Sequence, residues 1–181
     1  KNHNYLNDEK LNNINSSNKI VFVDNKSEFK IENGLKVSVD LSSSNSPIAY
    51  SAKPNKSIID FNKINYHKIS DFWLPIFKQK NSLIIEKNKF YILRSKEKIR
   101  IPISLAGEMI PYDTGIGDFR AHYAGFFDPG FGDPNGSYAV LEVKTNELPF
   151  LLEDGQTIAR IKYEKLNKTS NIVYGKDIKS N

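Results

Sequence analysis

Leu35, Val37, Val39 and Leu41 alternate with Lys36, Ser38 and Asp40. A period of two gives an extended strand one apolar and one polar face, and it fits no helix. Similar short runs follow at Pro47 to Lys53, Ser82 to Glu86 and Phe90 to Arg94, after an earlier one in KIVFV from Lys19. Turn chemistry separates them: Asn33-Gly34, Pro54-Asn55 and the charged Glu86 to Lys89. The second half continues with strands predicted at Phe119 to Phe127, Ser137 to Thr145 and Thr157 to Tyr163, joined at Asp133-Pro134-Asn135-Gly136 and Asp154-Gly155. Short strands with regular punctuation predict an all-β sandwich or barrel with little helix.

The 181 residues are enough for one core and one domain. With 39% hydrophobic residues and no apolar run approaching the roughly 18 residues of a spanning helix, the composition predicts a soluble globular protein without a membrane segment. The first residues, KNHNYLNDEKLNNINSSNK, are rich in Asn, so 1–19 reads as a linker or tail and 20–181 as the domain. A first residue that is Lys and the lack of a charged-then-apolar leader suggest a piece of a longer protein.

Absence of cysteine removes any disulfide framework, and a zinc site would need His and carboxylates alone. His3, His67 and His122 lie far apart without metal-type spacing, so no metal ligand is assigned. A net charge of +5 suits a polyanionic ligand. Arginine occurs only at Arg94, Arg100, Arg120 and Arg160, and no basic cluster alternates with aromatics, so no nucleic-acid surface is expected.

Ile69 to Phe77 departs from the strand texture. Ser70 or Asp71 could cap a short helix turning Phe72, Ile76 and Phe77 inward, with Pro75 limiting its length. Trp73 reads as a core or rim anchor.

Candidate chemistry concentrates between Arg120 and Leu166. Alternation over Ser137 to Thr145 places Tyr138, Val140, Glu142 and Lys144 on one face and Ala139, Leu141 and Val143 on the core face. Glu142 is then either the solvent side of a half-buried strand or the acid of a pocket for which apolar Val140 leaves room. Asp128 lies in Gly-Phe-Phe-Asp-Pro-Gly-Phe-Gly, a turn in which Pro129 sets one dihedral and Gly130 accepts positive φ. Phe126, Phe127 and Phe131 around it either pack the core or wall a flat base. Gln156, in Glu153-Asp154-Gly155-Gln156, either pairs at an edge or lines a pocket. No serine or cysteine nucleophile context supports a triad at His122.

The runs HYAGFFDPGFG, AVLEV, ELPFLLEDGQ and IARIKYEKL, in this order, resemble the C-terminal half of the long-form deoxycytidine triphosphate deaminases of proteobacteria, members of the dUTPase-like superfamily. GLKVSVDLSSS, DFWLPI and KFYILRSKE extend the resemblance upstream, so that it covers about Gly34 to Asn181. It implies a distorted β-barrel or jelly roll, trimeric grouping of domains in a homo-oligomer, nucleotide sites between neighbouring domains, and a cytoplasmic enzyme that deaminates dCTP to dUTP without zinc. Glu142 would shuttle a proton from water to the ring nitrogen, and Ala124 would offer its carbonyl to the water. Asp128 would lie at the sugar, Val140 and Leu141 would present backbone to the base, and Tyr174 and Gln156 would line the nucleotide. A magnesium ion would arrive with the triphosphate.

The resemblance breaks at one place. Single-domain relatives carry Arg-Ser-Ser-x-x-Arg to grip phosphates, where this chain has Ile110-Pro-Tyr-Asp-Thr-Gly115. The phosphate grip is therefore expected from a homologous N-terminal domain sharing the site. Two alternatives accompany this reading: dUTP diphosphate hydrolysis, alone or coupled to deamination, because Gly-x-x-Asp-x-x-aromatic also resembles the dUTPase loop, and a degenerate half that only supports an active partner domain.

Overall fold

The computed structural model describes residues 4–24, 28–54, 58–111, 119–122, 125–146, 148–169 and 171–175. In chain order the elements are α1 (Asp8–Ser17), β1 (Val21–Phe22), β2 (Leu35–Ser38), β3 (Ala49–Ala52), α2 (Ile69–Phe72), β4 (Trp73–Ile76), β5 (Ser82–Ile85) and β6 (Phe90–Ile99). They continue with β7 (Leu105–Pro111), β8 (Phe119–His122), β9 (Phe126–Phe127), β10 (Ser137–Thr145), β11 (Phe150–Glu153) and β12 (Thr157–Lys165). The described chain is an all-β fold, as the alternation predicts.

One sheet runs β4-β3-β6-β10-β8, with β1 also paired to β6; a second runs β2-β12-β7-β9, and β11 pairs with β5. Every strand pair is antiparallel. Strands with one buried face satisfy their backbone groups laterally while sending alternate side chains into a shared interior. That interior draws Tyr91, Leu141 and Val143 from the first sheet and Val37, Ile161 and Tyr163 from the second. The two sheets touch where Val39 bridges Ser95 and the buried Glu97 carboxylate takes hydrogen bonds from the Ser38 amide (2.9 Å) and hydroxyl (2.6 Å).

The N-terminal segment differs from the linker expected over 1–19. Asp8–Ser17 is a helix capped by the Asn7 side chain, which accepts from the Lys10 amide at 3.0 Å, and its Leu11 is fully buried. Asp8 also accepts from the amides of Asn33 (2.6 Å) and Gly34 (2.8 Å), which ties the helix to the turn before β2. Leu11, with Ile14 and the preceding Leu6 partly buried beside it, is too narrow an apolar stripe on an Asn-rich helix to stand out, which is why composition suggests a tail.

The region around Trp73 also differs. The α2 helix lasts one turn, its cap position is Lys68 without a side-chain cap bond, and Ser70 and Asp71 lie inside it. Pro75 then sits in β4, an edge strand of its sheet, where a missing N–H is tolerated. Phe77 is exposed rather than inward. Trp73 is half-buried with its ring 6.0 Å from that of Phe90, a rim anchor.

Candidate active site

In β10 the residues Ala139, Leu141 and Val143 are buried, and this commitment turns Tyr138, Val140 and Glu142 to the opposite face. Glu142 stands opposite Ile92 of β6 and His122 of β8. Val140 is 61% exposed, while Glu142 is half-buried, and its carboxylate has no hydrogen bond or ion pair among the described residues.

The loop before β10 folds over this face. Gly130 (φ +94°) and Gly132 (φ +72°) adopt the left-handed conformation that the sequence assigns to Gly130, and a Cβ on Gly132 would lie 2.1 Å from the Ile99 carbonyl oxygen. The loop is docked by the Gly130 amide donating to Ile101 O and the Ile101 amide donating to Phe131 O, both at 2.9 Å. Tyr174 crosses it from the far end of the chain, its amide donating to Pro129 O at 3.1 Å and its ring 5.8 Å from that of Phe131. Phe131 in turn packs edge-on against Phe127 at 4.9 Å.

These elements enclose a cleft of about 190 Å³. Glu142, Val140 and Tyr138 form its floor, and Asp128, Phe126 and Tyr174 stand around them, with Phe127 and Phe131 completing the wall. Asp128 is exposed, and its carboxylate, like that of Glu142, has no partner among the described residues. Phe126 is 77% exposed at the lip, whereas Phe127 is buried, so the aromatics of the loop serve both the wall and the core. Two uncommitted carboxylates on an aromatic and aliphatic cleft suit a flat polar ring with a hydroxylated substituent.

Four residues singled out from sequence thus meet here: Glu142, Asp128, Val140 and Tyr174. Leu141 keeps its side chain in the core, leaving only its backbone for a ligand. Gln156 lies outside the cleft: it sits at the start of β12 in the other sheet, and its side-chain oxygen accepts from the Glu153 amide at 3.0 Å, closing its own turn. Ala124 falls outside the described residues, as do 112–115 of the segment aligned with the phosphate motif. Tyr138 carries no assigned role in the sequence reading, although its place on the Glu142 face follows from the alternation. Among the described residues no three His, Cys, Asp or Glu side chains cluster as metal ligands do, and no helix is long and apolar enough to cross a membrane.

A larger hollow, about 920 Å³, opens beside Leu74, Phe77 and Ile84. Its one acid, Glu86, is paired with Lys89 at 2.8 Å, so it offers no uncommitted acid.

The model of the family described as "2'-deoxycytidine 5'-triphosphate deaminase (DCD), C-terminal domain" matches residues 7–181. The chain belongs to this family. The crystal structure of 2'-deoxycytidine 5'-triphosphate deaminase from Agrobacterium tumefaciens is similar over 93% of this chain, with 38% sequence identity and a TM-score of 0.84. That likeness covers 51% of the Agrobacterium chain, so the present chain spans about half its length. No curated protein matches the sequence. The deaminase-domain match starts at residue 7 and thus includes helix α1, consistent with its packing on the sheets.

Proposed function

We propose that this chain is the domain of a dCTP deaminase that supplies the proton-transferring carboxylate for hydrolysis of dCTP to dUTP and ammonia. The observation that carries the reading is Glu142: a half-buried carboxylate without a partner among the described residues, on the floor of a cleft walled by Tyr138, Phe126 and Tyr174. A carboxylate committed to an ion pair could not accept a water proton. An uncommitted one in a partly dry cleft can.

In the proposed step a water oxygen bonds to C4 of the cytosine ring while Glu142 takes one of its protons. Glu142 delivers that proton to the ring nitrogen; the proton left on the added hydroxyl then passes by way of Glu142 to the amino group, which departs as ammonia as the C4 carbonyl of uracil forms. Val140, exposed beside Glu142, gives the ring an apolar floor, and Val140 and Leu141 backbone would meet its edge. Asp128 would accept from the sugar hydroxyl, Tyr174 would close over the nucleotide, and the Ala124 carbonyl would orient the water. The sequence has no Cys and no His-x-Glu zinc motif, and the chemistry is assigned to Glu142 without zinc. Magnesium enters as part of the triphosphate substrate.

A cleft of about 190 Å³ has room for a base rather than a whole nucleotide. Its lip at Phe126 is open, and Val140 on its floor stays exposed. Both features support a site completed by a homologous N-terminal domain; a homo-oligomer with trimeric grouping of domains, acting in the cytoplasm, is the assembly and location proposed with it. The length of the Agrobacterium chain supports a second domain as well. Ammonia release from dCTP by the full-length protein, beside its Glu142→Gln variant, tests the reading. Release lost in the variant is the expected result; release that survives it sinks the assignment. Uncommitted Asp128 favours one second reading, diphosphate hydrolysis of dUTP, which assay of pyrophosphate in the same samples detects.

A further inference from the structure

We propose that Lys98, with Arg94 beside it, forms a polyphosphate-binding ledge belonging to this domain itself, set around Tyr138 at the edge of the Glu142 cleft. The assignment deepens the deaminase reading and rests on it for the identity of the nucleotide.

The outward face of β6 carries Arg94, Lys96 and Lys98, followed by Arg100 just past its end. Three of these cations are neutralised: Arg94 by Asp40, Lys96 by Asp154 (2.7 Å) and Arg100 by Asp133 (3.1 Å). Lys98 has no carboxylate within reach among the described residues. Its ammonium lies 5.2 Å from the centroid of the Tyr138 ring, and the Arg94 guanidinium lies 4.7 Å from the same centroid.

Two cations four residues apart reach one ring because the sheet is irregular there. From Tyr138 to Val140 β10 advances two residues, while their partners on β6, Lys98 and Arg94, are four apart. β6 thus carries two extra residues opposite Ala139, a bulge that re-aims the flanking side chains. Arg94 is further held by donating Nε and Nη2 to the same Asp40 oxygen, which leaves Nη1 without a partner among the described residues. Gly136 fixes Lys98 from the other side: a Cβ there would lie 2.8 Å from Lys98 Cβ.

The placement suits a nucleotide. Tyr138 and Glu142 share one face four residues apart, about 13 Å along an extended strand. With the base over Glu142 and Val140 and the sugar beside Asp128, the phosphates leave toward Tyr138. There they meet one unneutralised ammonium and one guanidinium N–H. Charge-assisted donors held by an aromatic ring and a buried carboxylate are preorganised for phosphate oxygens.

The test is calorimetric titration of the full-length protein with inorganic tripolyphosphate, dCTP and deoxycytidine at low and moderate salt. Lys98→Met keeps the aliphatic stem over Tyr138, and Lys98→Arg keeps the charge. Lys98→Met is expected to weaken tripolyphosphate and dCTP by about tenfold or more and to reduce their salt dependence, with deoxycytidine unchanged and Lys98→Arg recovering most of the loss. A wild-type protein that binds no tripolyphosphate, a Lys98→Met variant that binds it equally well, or an equal loss for deoxycytidine overturns the ledge. Lys98-dependent tripolyphosphate binding in a protein that releases no ammonia from dCTP keeps the ledge and removes the deaminase reading instead.

Discussion

The Ser95 hydroxyl accepts the Ala139 amide at 2.8 Å, standing in for a ladder bond where β6 bulges against β10. Its own proton goes to the Glu97 carbonyl at 2.6 Å, and Ser95 is fully buried. One side chain therefore holds the irregularity that carries Arg94 and Lys98 to Tyr138.

Ser95→Ala leaves the buried Ala139 amide and the Glu97 carbonyl without these partners. The expected destabilisation is about 1–3 kcal/mol, read as a lowered denaturant midpoint with an unchanged slope. A variant as stable as wild type would mean that the bulge is held elsewhere.

Glu97→Ala should cost more, because it strips hydrogen bonds from both the Ser38 amide and hydroxyl at the contact between the two sheets. About 2–4 kcal/mol is expected from two buried donors losing their acceptor. Chemical denaturation measures it, and a loss under about 1 kcal/mol would show that water replaces the carboxylate.

Asp40 links this region to pH. Burial acts to raise its pKa, but hydrogen bonds from the Ser42 hydroxyl and amide and the Arg94 guanidinium outweigh it and hold the carboxyl below its ordinary value. A folded value below the unfolded one contributes stability above the ordinary carboxylate range, and the contribution disappears as pH falls through the lowered folded value. Thermal melts between neutral pH and about pH 3 should show an acid-side loss that Asp40→Asn diminishes. Equal acid limbs would remove Asp40 from the account.

Leu11→Ala tests whether the N-terminal helix belongs to the domain. Leu11 is fully buried, so a loss of about 2–5 kcal/mol in global stability is expected. If instead only helix α1 frays, hydrogen exchange would rise there while the sheet amides keep their protection.

Asp128→Asn separates sugar contact from proton transfer. Retained kcat with a raised KM for dCTP is expected from an isosteric residue that still hydrogen-bonds but has lost its charge. A collapse of kcat with KM unchanged would move Asp128 into the chemical step.

The alternation of Ala139, Leu141 and Val143 with Val140 and Glu142 is legible in the sequence alone, because burial of one strand face dictates where the other points. The same holds for Gly130, whose turn demands a left-handed residue, and the ordered motifs around Asp128 and Glu142 carry the family. Three features are not legible there. Leu11 and Ile14 anchor an otherwise Asn-rich, polar helix, an apolar stripe too short to stand out. Gln156 stands near a motif in sequence yet closes its own turn in the other sheet, since adjacency along the chain says nothing about which sheet a strand joins. The meeting of Lys98 and Arg94 at Tyr138 depends on a two-residue register shift between strands distant in sequence, and register follows from long-range pairing. Local pattern determined many of the strands and the placement of Glu142 on an outward face, but not β7 or β11, and Phe119 to Phe127, predicted as one strand, divides into β8 and β9 of different sheets. Tertiary packing alone decided which outward residues meet, because only the packed sheets and the crossing of Tyr174 bring Asp128, Glu142 and Tyr138 around one cleft.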